Sequence, residues 1–355
     1  LSVAYGNGVW VAVAQSNWKT GKTLVTRSTD DGRTWTGVDA STDGAWTGVG
    51  YGNGVWIAVA SYMPDGNTVM RSTDDGQTWT GVVTPADDGG GVYKVAYGNG
   101  VWIGTSGDRV LRSTDDGQTW LLVDAVEEGG SYGIGYGNGV WMTVCFSCRP
   151  NTHALRSIDD GLTWSPVTFP DLNSPRSVQY DNGVWIAIGS ESVDYTDDMG
   201  NWHYSHTAGV VRSTDNGQTW LPSDFSRVET GDCPDGPCGL MEVAYGNGVW
   251  VAVAAGGTHR VMRSIDDGQT WTGVTDLPVD NAWWSVAYAN CVWVAVGTPY
   301  PQQDDNFVGG LDHVMRSTDP DPATCTTAET AEQEAEAAAA AAEAAELEAA
   351  AAAAE

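Results

Sequence analysis

Apolar residues alternate with small or polar ones in runs of four to six, and glycine, asparagine or aspartate closes each run. Over residues 48–82 this pattern predicts four strands, at 48–51, 55–60, 68–72 and 77–82. Asn53-Gly54 marks a hairpin turn, Asp74-Asp75-Gly76 a second tight turn, and the loop 61–67 lies between them. The same phrase recurs seven times. Its tyrosines are Tyr5, Tyr51, Tyr97, Tyr136, Tyr180, Tyr245 and Tyr288, and its arginines are Arg27, Arg71, Arg112, Arg156, Arg212, Arg263 and Arg316. The spacing of about 40 to 65 residues is the size of one four-stranded propeller blade. A lone blade cannot bury its own faces, so blades must stack, and seven can close into a ring. The expected fold is all-β, a seven-bladed β-propeller of four-stranded antiparallel blades over residues 1–326. An Ala/Glu-rich helical tail over 327–355 follows it.

The second tight turn has the form Ser-x-Asp-x-Gly-x-Thr-Trp. It is whole at 28–35, 72–79, 113–120, 157–164, 213–220 and 264–271, with its aspartate at Asp30, Asp74, Asp115, Asp159, Asp215 and Asp266. A carboxylate there can accept N–H bonds from its own turn, glycine supplies a backbone angle other residues resist, and the tryptophan can pack back between blades. A residue needed in every blade builds every blade, so these aspartates are read as structural and not as metal ligands. The pattern resembles the Asp box (BNR repeat) of the sialidase-like propellers. The seventh copy keeps Asp319 but loses the glycine and tryptophan.

Charge narrows the partners. The formal net charge is −30, with three lysines in the chain. Nucleic acid and anionic lipid both call for a basic surface, so neither is expected. No run of about 20 apolar residues is present, so no membrane insertion is expected. The first residue is Leu1, inside a strand, which suggests a mature or trimmed product.

Six cysteines form three close or complementary pairs, Cys145 with Cys148, Cys233 with Cys238, and Cys291 with Cys325. An even count in an acidic β protein favours an oxidising compartment and an extracellular or cell-surface location. Cys291 and Cys325 enter the two turns of the seventh unit that decay from the repeat, and a disulfide there would fasten the last strand. Unrelated buried thiols are the alternative. Cys145 and Cys148 read as a small structural disulfide before a redox motif, and Cys233 and Cys238 as a stapled Pro/Gly loop. Zinc is a weak reading for either.

The irregular sequence gathers at one end of the ring, in the B–C and D–A loops. Variable loops on a rigid scaffold are where binding usually resides. Five tryptophans outside the repeat positions fall there, Trp18, Trp46, Trp202, Trp283 and Trp284. They are candidates for stacking on a glycan or anchoring a protein. The competing reading packs them onto the ring. His153, His203, His206, His259 and His313 lie in or beside the B–C loops, and a shared metal there is disfavoured.

The sialidase resemblance implies an arginine triad, a Tyr–Glu nucleophile pair, an Asp acid/base and an early Arg-Ile-Pro motif. That motif is absent. Seven of the thirteen arginines recur once per blade and cannot converge. Arg33, Arg109, Arg149, Arg176, Arg227 and Arg260 are scattered. No catalytic residue, cofactor or metal is therefore assigned. The wording of the repeat also resembles secreted, cell-surface and phage-fibre propellers, and the Asp boxes resemble those of photosystem II stability factors. The expected function is a non-enzymatic extracellular structural or adhesive module in a larger assembly. It would meet protein chains, or glycans, through its loop face, and protein chains through its helical tail. The alternatives are a carbohydrate-binding or glycoside-hydrolase propeller and an assembly factor for a membrane complex.

Overall fold

The computed structural model describes residues 1–14, 24–40, 44–62, 68–85, 91–125, 130–146, 152–196, 202–224, 239–257, 259–275, 277, 281–299 and 314–318. The helix expected over 327–355 and the last box around Asp319 lie outside them.

Seven antiparallel sheets follow one another along the chain, and strands pair in sequence order within each. Blade one is Ser2–Gly6, Val9–Ala14, Leu24–Ser28 and Thr36–Val38, from the channel outward. Six blades have four strands. Blade seven has three among the described residues, Asn281–Ala289, Val292–Pro299 and Val314–Thr318. The fold is the expected seven-bladed β-propeller. In blade two the outer strand is Thr80–Val82 and not 77–82. Residues 77–79 belong to the turn, where Trp79 Nε1 donates to the Gly76 carbonyl at 3.1 Å.

Each first hairpin turns on an Asn-Gly pair with both residues at positive φ, as at Asn7 (49°) and Gly8 (77°). That backbone matches the right-handed twist of the flanking strands. Blade seven carries Cys291 in the glycine position, at φ 61°.

Each box is a closed hydrogen-bond unit. In blade two the Ser72 hydroxyl donates to Asp74 Oδ1 at 2.8 Å and accepts the Gly76 amide at 3.0 Å. Asp74 accepts the Thr78 amide at 2.9 Å and the Thr78 hydroxyl at 2.6 Å. The same bonds recur at Asp30, Asp115, Asp159, Asp215 and Asp266.

Apolar side chains fill the seams between blades. Between blades one and two, Val9, Val11 and Val13 meet Trp56, Ala58 and Trp79. The turn tryptophans Trp10, Trp56, Trp102, Trp141, Trp185 and Trp250 are completely buried. The glycine after five of the seven repeat tyrosines allows the next blade to approach, since a Cβ on Gly52 would stand 2.2 Å from the Tyr97 ring.

Polar links cross the seams at the regular-turn end. The turn asparagine of one blade donates to the second acidic residue of the next box, as Asn53 does to Asp116 at 2.9 Å. The repeat arginine donates Nε to that residue's carbonyl, as Arg71 does to Asp116 at 2.7 Å. The pair of bonds joins blades one to two, three to four, four to five and five to six in the same way. It also closes the ring, from Asn290 and Arg316 in blade seven to Asp31 in blade one. Val3, Trp10 and Ala12 pack on Val292, Val294 and Val296 across the same seam.

Candidate functional site

The inner strands begin at the irregular-loop end, so their first residues line the mouth of the central channel. Counted from the repeat tyrosines, the residue three positions earlier is small or serine in five blades. It is Lys94 in blade three and Glu242 in blade six. These two reach each other across the ring, with Lys94 Nζ at 2.6 Å from Glu242 Oε2, and both are largely shielded from water. The ion pair forms a charged floor across the channel.

One residue nearer the mouth, the ladder is irregular. The inner strands of blades two, five, six and seven slip register around Thr47, Arg176, Met241 and Trp284. A bulge of this kind takes a residue out of the pairing pattern and re-aims its side chain, and such bulges are common beside functional sites. Tyr93 and Tyr132 hold the same position in blades three and four, with ring centroids 4.8 Å apart. All six side chains are half-buried. Burial, then the neighbouring Tyr132, raises the pKa of the Tyr93 phenol. Burial lowers the Arg176 guanidinium from its usual value, against the opposing influence of Tyr132. Trp284 is oriented by donating Nε1 to the Thr298 hydroxyl at 3.1 Å. The mouth is thus a saucer with an aromatic and apolar rim, one guanidinium, and a paired-charge floor.

The five candidate tryptophans separate. Trp284 lies in the rim. Trp46 and Trp283 have no exposed surface and do not belong to a partner face. Both stand five residues before a repeat tyrosine, where the other blades bury Val92 and Leu240, so they are core side chains of the seams. Trp18 and the Trp202 side chain lie outside the described residues.

Arg176 stands in the rim, and most of the other described arginines are committed elsewhere. Six repeat arginines are seated on carbonyls at the far end of the ring. Arg109 pairs with Asp124 at 3.2 Å. Arg33 sits in the first box turn, donating to the Asp30 carbonyl. Arg149 and Arg227 lie outside the described residues.

Among the described residues no group of three His, Cys, Asp or Glu is placed to hold a metal ion. His153 Nδ1 accepts the Phe169 amide at 2.8 Å, and burial lowers its pKa. Cys145 and Cys291 are disulfide-bonded. Cys148, Cys233, Cys238 and Cys325 lie outside the described residues, and with them the expected pairings.

Sequence reasoning named one rim residue, Trp284, and passed over the rest of the rim and the floor. The opposite charges at one repeat position in blades three and six were the signal for the floor. The rim has no shared residue type, so only alignment by position brings it out.

The seven sheets define a seven-bladed β-propeller, with the rim and floor residues at one end of its channel. No protein-family model matches the chain, and no curated protein matches it in sequence. Among solved structures, the fold is similar to that of YCF48 bound to a D1 peptide, with a TM-score of 0.60, 14% identity and 89% of each chain covered. It is also similar to YCF48 from Cyanidioschyzon merolae, with a TM-score of 0.59 and 13% identity, over 90% of this chain and 94% of that one. At this level of identity the likeness establishes the fold alone.

Proposed function

We propose that the chain is a non-enzymatic propeller module that binds a protein partner at the mouth of its channel, within a larger extracellular assembly. The rim carries this reading. Tyr93, Tyr132, Arg176, Met241 and Trp284 are the residue types enriched where proteins bind proteins, and they sit together on rigid strands. The floor supports it too. Lys94 and Glu242 neutralise each other, so the saucer offers neither an unpaired carboxylate nor a cluster of cations at its base. A propeller of the same fold, YCF48, is described with a D1 peptide bound, so a scaffold of this kind is able to hold a peptide. The same likeness is what favours the assembly-factor reading, in which the partner is held only transiently.

In this reading the kinship with Asp-box propellers is one of scaffold and not of catalysis. Cys145–Cys148 and Cys291–Cys325 pair, and residues 327–355 form the helical contact to neighbouring chains. A photo-crosslinking residue in place of Trp284 tests the site in the native assembly. The expected result is a crosslink to one defined protein, lost when Arg176 is replaced by glutamate. A crosslink to glycan, or hydrolysis of aryl glycosides by the purified chain, would overturn the reading in favour of a carbohydrate-active propeller.

A further inference from the structure

A cleft of about 710 Å³ lies on the outer wall of the ring, where blades two and three meet. Sites for small ligands run from about 300 to 1,000 Å³, so it has room for a short oligosaccharide. The outer strand Thr80–Val82 of blade two and its continuation to Pro85 form one side. Gln118, Thr119 and Trp120 of the third box form the other. Arg71 lines the cleft as well, and its Nε donates to the Asp116 carbonyl at 2.7 Å. The terminal nitrogens carry the rest of its N–H groups. They have no partner among the described residues, and no carboxylate there pairs with the guanidinium.

The polar groups of the cleft are of two kinds. The Thr78 hydroxyl gives its hydrogen to Asp74 at 2.6 Å, and the Thr119 hydroxyl gives its own to Asp115 at 2.6 Å. Both are thereby left as acceptors. Gln118 Nε2 donates to the Asp115 carbonyl at 2.9 Å, and the side-chain oxygen of Gln118 is a third acceptor. Thr73 and Thr80 are exposed, and their hydroxyls are uncommitted among the described residues, so they can donate. Such a cleft calls for a ligand with several hydroxyl donors and one anionic group for Arg71. A sugar acid carries both on one ring.

One position separates this cleft from its counterparts. Eleven residues after the box serine stand Asp39 in blade one, Asp124 in blade three and Asp224 in blade five, all exposed. In blade two the residue is Val83, which is 80% exposed and part of the cleft wall. A carboxylate there would repel an anion from Arg71, and valine removes it. The seam between blades three and four also has Leu121 and Leu162 where this one has Thr80 and Gln118. The net charge of −30 opposes any anion. Charges more than about 8 Å away are largely screened at physiological salt, however, so the groups within the cleft decide. We propose that this cleft is a binding site for an acidic sugar, a hexuronic acid unit of a polysaccharide. Its carboxylate pairs with Arg71 by charge-assisted hydrogen bonds. Its hydroxyls donate to Thr78, Thr119 and Gln118, and its C–H face rests on Val83. The cleft is on the circumference and shares no residue with the rim or floor of the channel, so it stands or falls apart from the function proposed above.

The test is calorimetric titration of the full chain with trimers of galacturonic, mannuronic and guluronic acid, and with the neutral galactose trimer. Saturable binding of at least one acid is expected, about tenfold tighter than the neutral trimer. Val83→Asp, which installs the residue of blades one and three, should weaken it by a further factor of about ten. Gln118→Leu, which installs the residue of blade four, should weaken it about fivefold. Val83 and Gln118 are exposed, so both variants should melt with the wild type, which separates lost binding from lost folding. The proposal is overturned if none of the three acids binds, if the neutral trimer binds equally well, or if Val83→Asp leaves binding unchanged. Binding that survives Val83→Asp and is lost in Trp284→Ala would place the sugar at the channel mouth. A glutamate trimer that competes as well as the sugar would show that the cleft reads charge alone. Either result also overturns the proposal.

Discussion

Asn290 in the last blade donates its side-chain amide to Asp31 in the first at 2.7 Å, across 259 residues of sequence. Arg316 adds its Nε to the carbonyl of the same Asp31. The ring closes with the link that joins its interior blades, so the closing seam is one more copy of the repeat. Asn290→Ala should cost about 1 kcal/mol, a fall in Tm of about 2–4 °C for a chain of this size. Asp31→Asn should lie within about 0.5 kcal/mol of wild type, because blade five already uses Asn216 as acceptor for Asn138. Thermal unfolding of the two variants decides this, and an Asn290→Ala protein that melts with the wild type would remove the closing role from that bond.

The boxes make stability depend on pH at its acid end. Asp30 is held down to about 2, first by the Thr34 hydroxyl, then by the Thr34 amide and the Ser28 hydroxyl. At Asp159 and Asp215 burial pushes upward, but the threonine and serine donors outweigh it and the values fall to about 2. Asp74, Asp115 and Asp266 are lowered in the same way. A folded pKa below the unfolded one, near about 3.9, means the native ring binds fewer protons than the unfolded chain. The stabilisation is therefore complete above about pH 4 and drains away as the pH falls toward about 2. Urea midpoints should be flat from neutral pH down to about 5 and drop steeply below about 4. Thr163→Val, which removes the 2.6 Å hydroxyl bond to Asp159, should move the acid transition upward. Midpoints that stay level between about pH 4 and 2 would show that the boxes do not control acid unfolding.

The channel floor offers a test of coupling. Lys94 and Glu242 lie 148 residues apart and meet at 2.6 Å, each mostly shielded. Glu242→Gln leaves a shielded ammonium without its counter-charge and should destabilise by about 1–3 kcal/mol, less than a fully buried pair because some water reaches it. Lys94→Met should do the same. The double variant should recover much of the loss, since neither charge is then stranded. Denaturant unfolding of the four proteins gives the coupling directly, and strictly additive losses would mean that the two charges do not sense each other.

The blades were legible in the chain because each is written in local terms: Asn-Gly for the first turn, Ser-x-Asp-x-Gly for the second, alternation between them. The outer strand was expected too early because Trp79 looks like the start of a strand by composition, while its indole in fact caps the turn. The partner face was harder. Trp46 and Trp283 fall among irregular residues, and only their register with Val92 and Leu240 identifies them as core. The seam links were written in most repeats, as an asparagine, an arginine and a second acidic residue, with Asn216 in the acidic place in blade five and Pro320 in blade seven. What a single sequence does not display is that the first two belong to one blade and the third to the next. Such a link becomes visible when the blades are stacked.

The repeat arginines supply an internal comparison, because the same residue type in the same strand position is seated in one seam and exposed in another. Arg112 donates Nε to the Asp160 carbonyl at 2.7 Å and is half-buried. Arg263 is exposed. Arg112→Ala removes a charge-assisted bond and leaves a carbonyl in the seam without its donor, a loss of about 1–3 kcal/mol. Arg112→Lys should recover little of it, since an ammonium on a flexible stem does not reproduce a planar guanidinium held against a carbonyl. Arg263→Ala should change stability by less than about 0.5 kcal/mol. Chemical denaturation of the three variants, with slopes checked against wild type, makes the comparison. Equal losses at the two positions would mean that the arginines act through general charge or strand propensity, and the seam link would then lose its claim to hold the blades together.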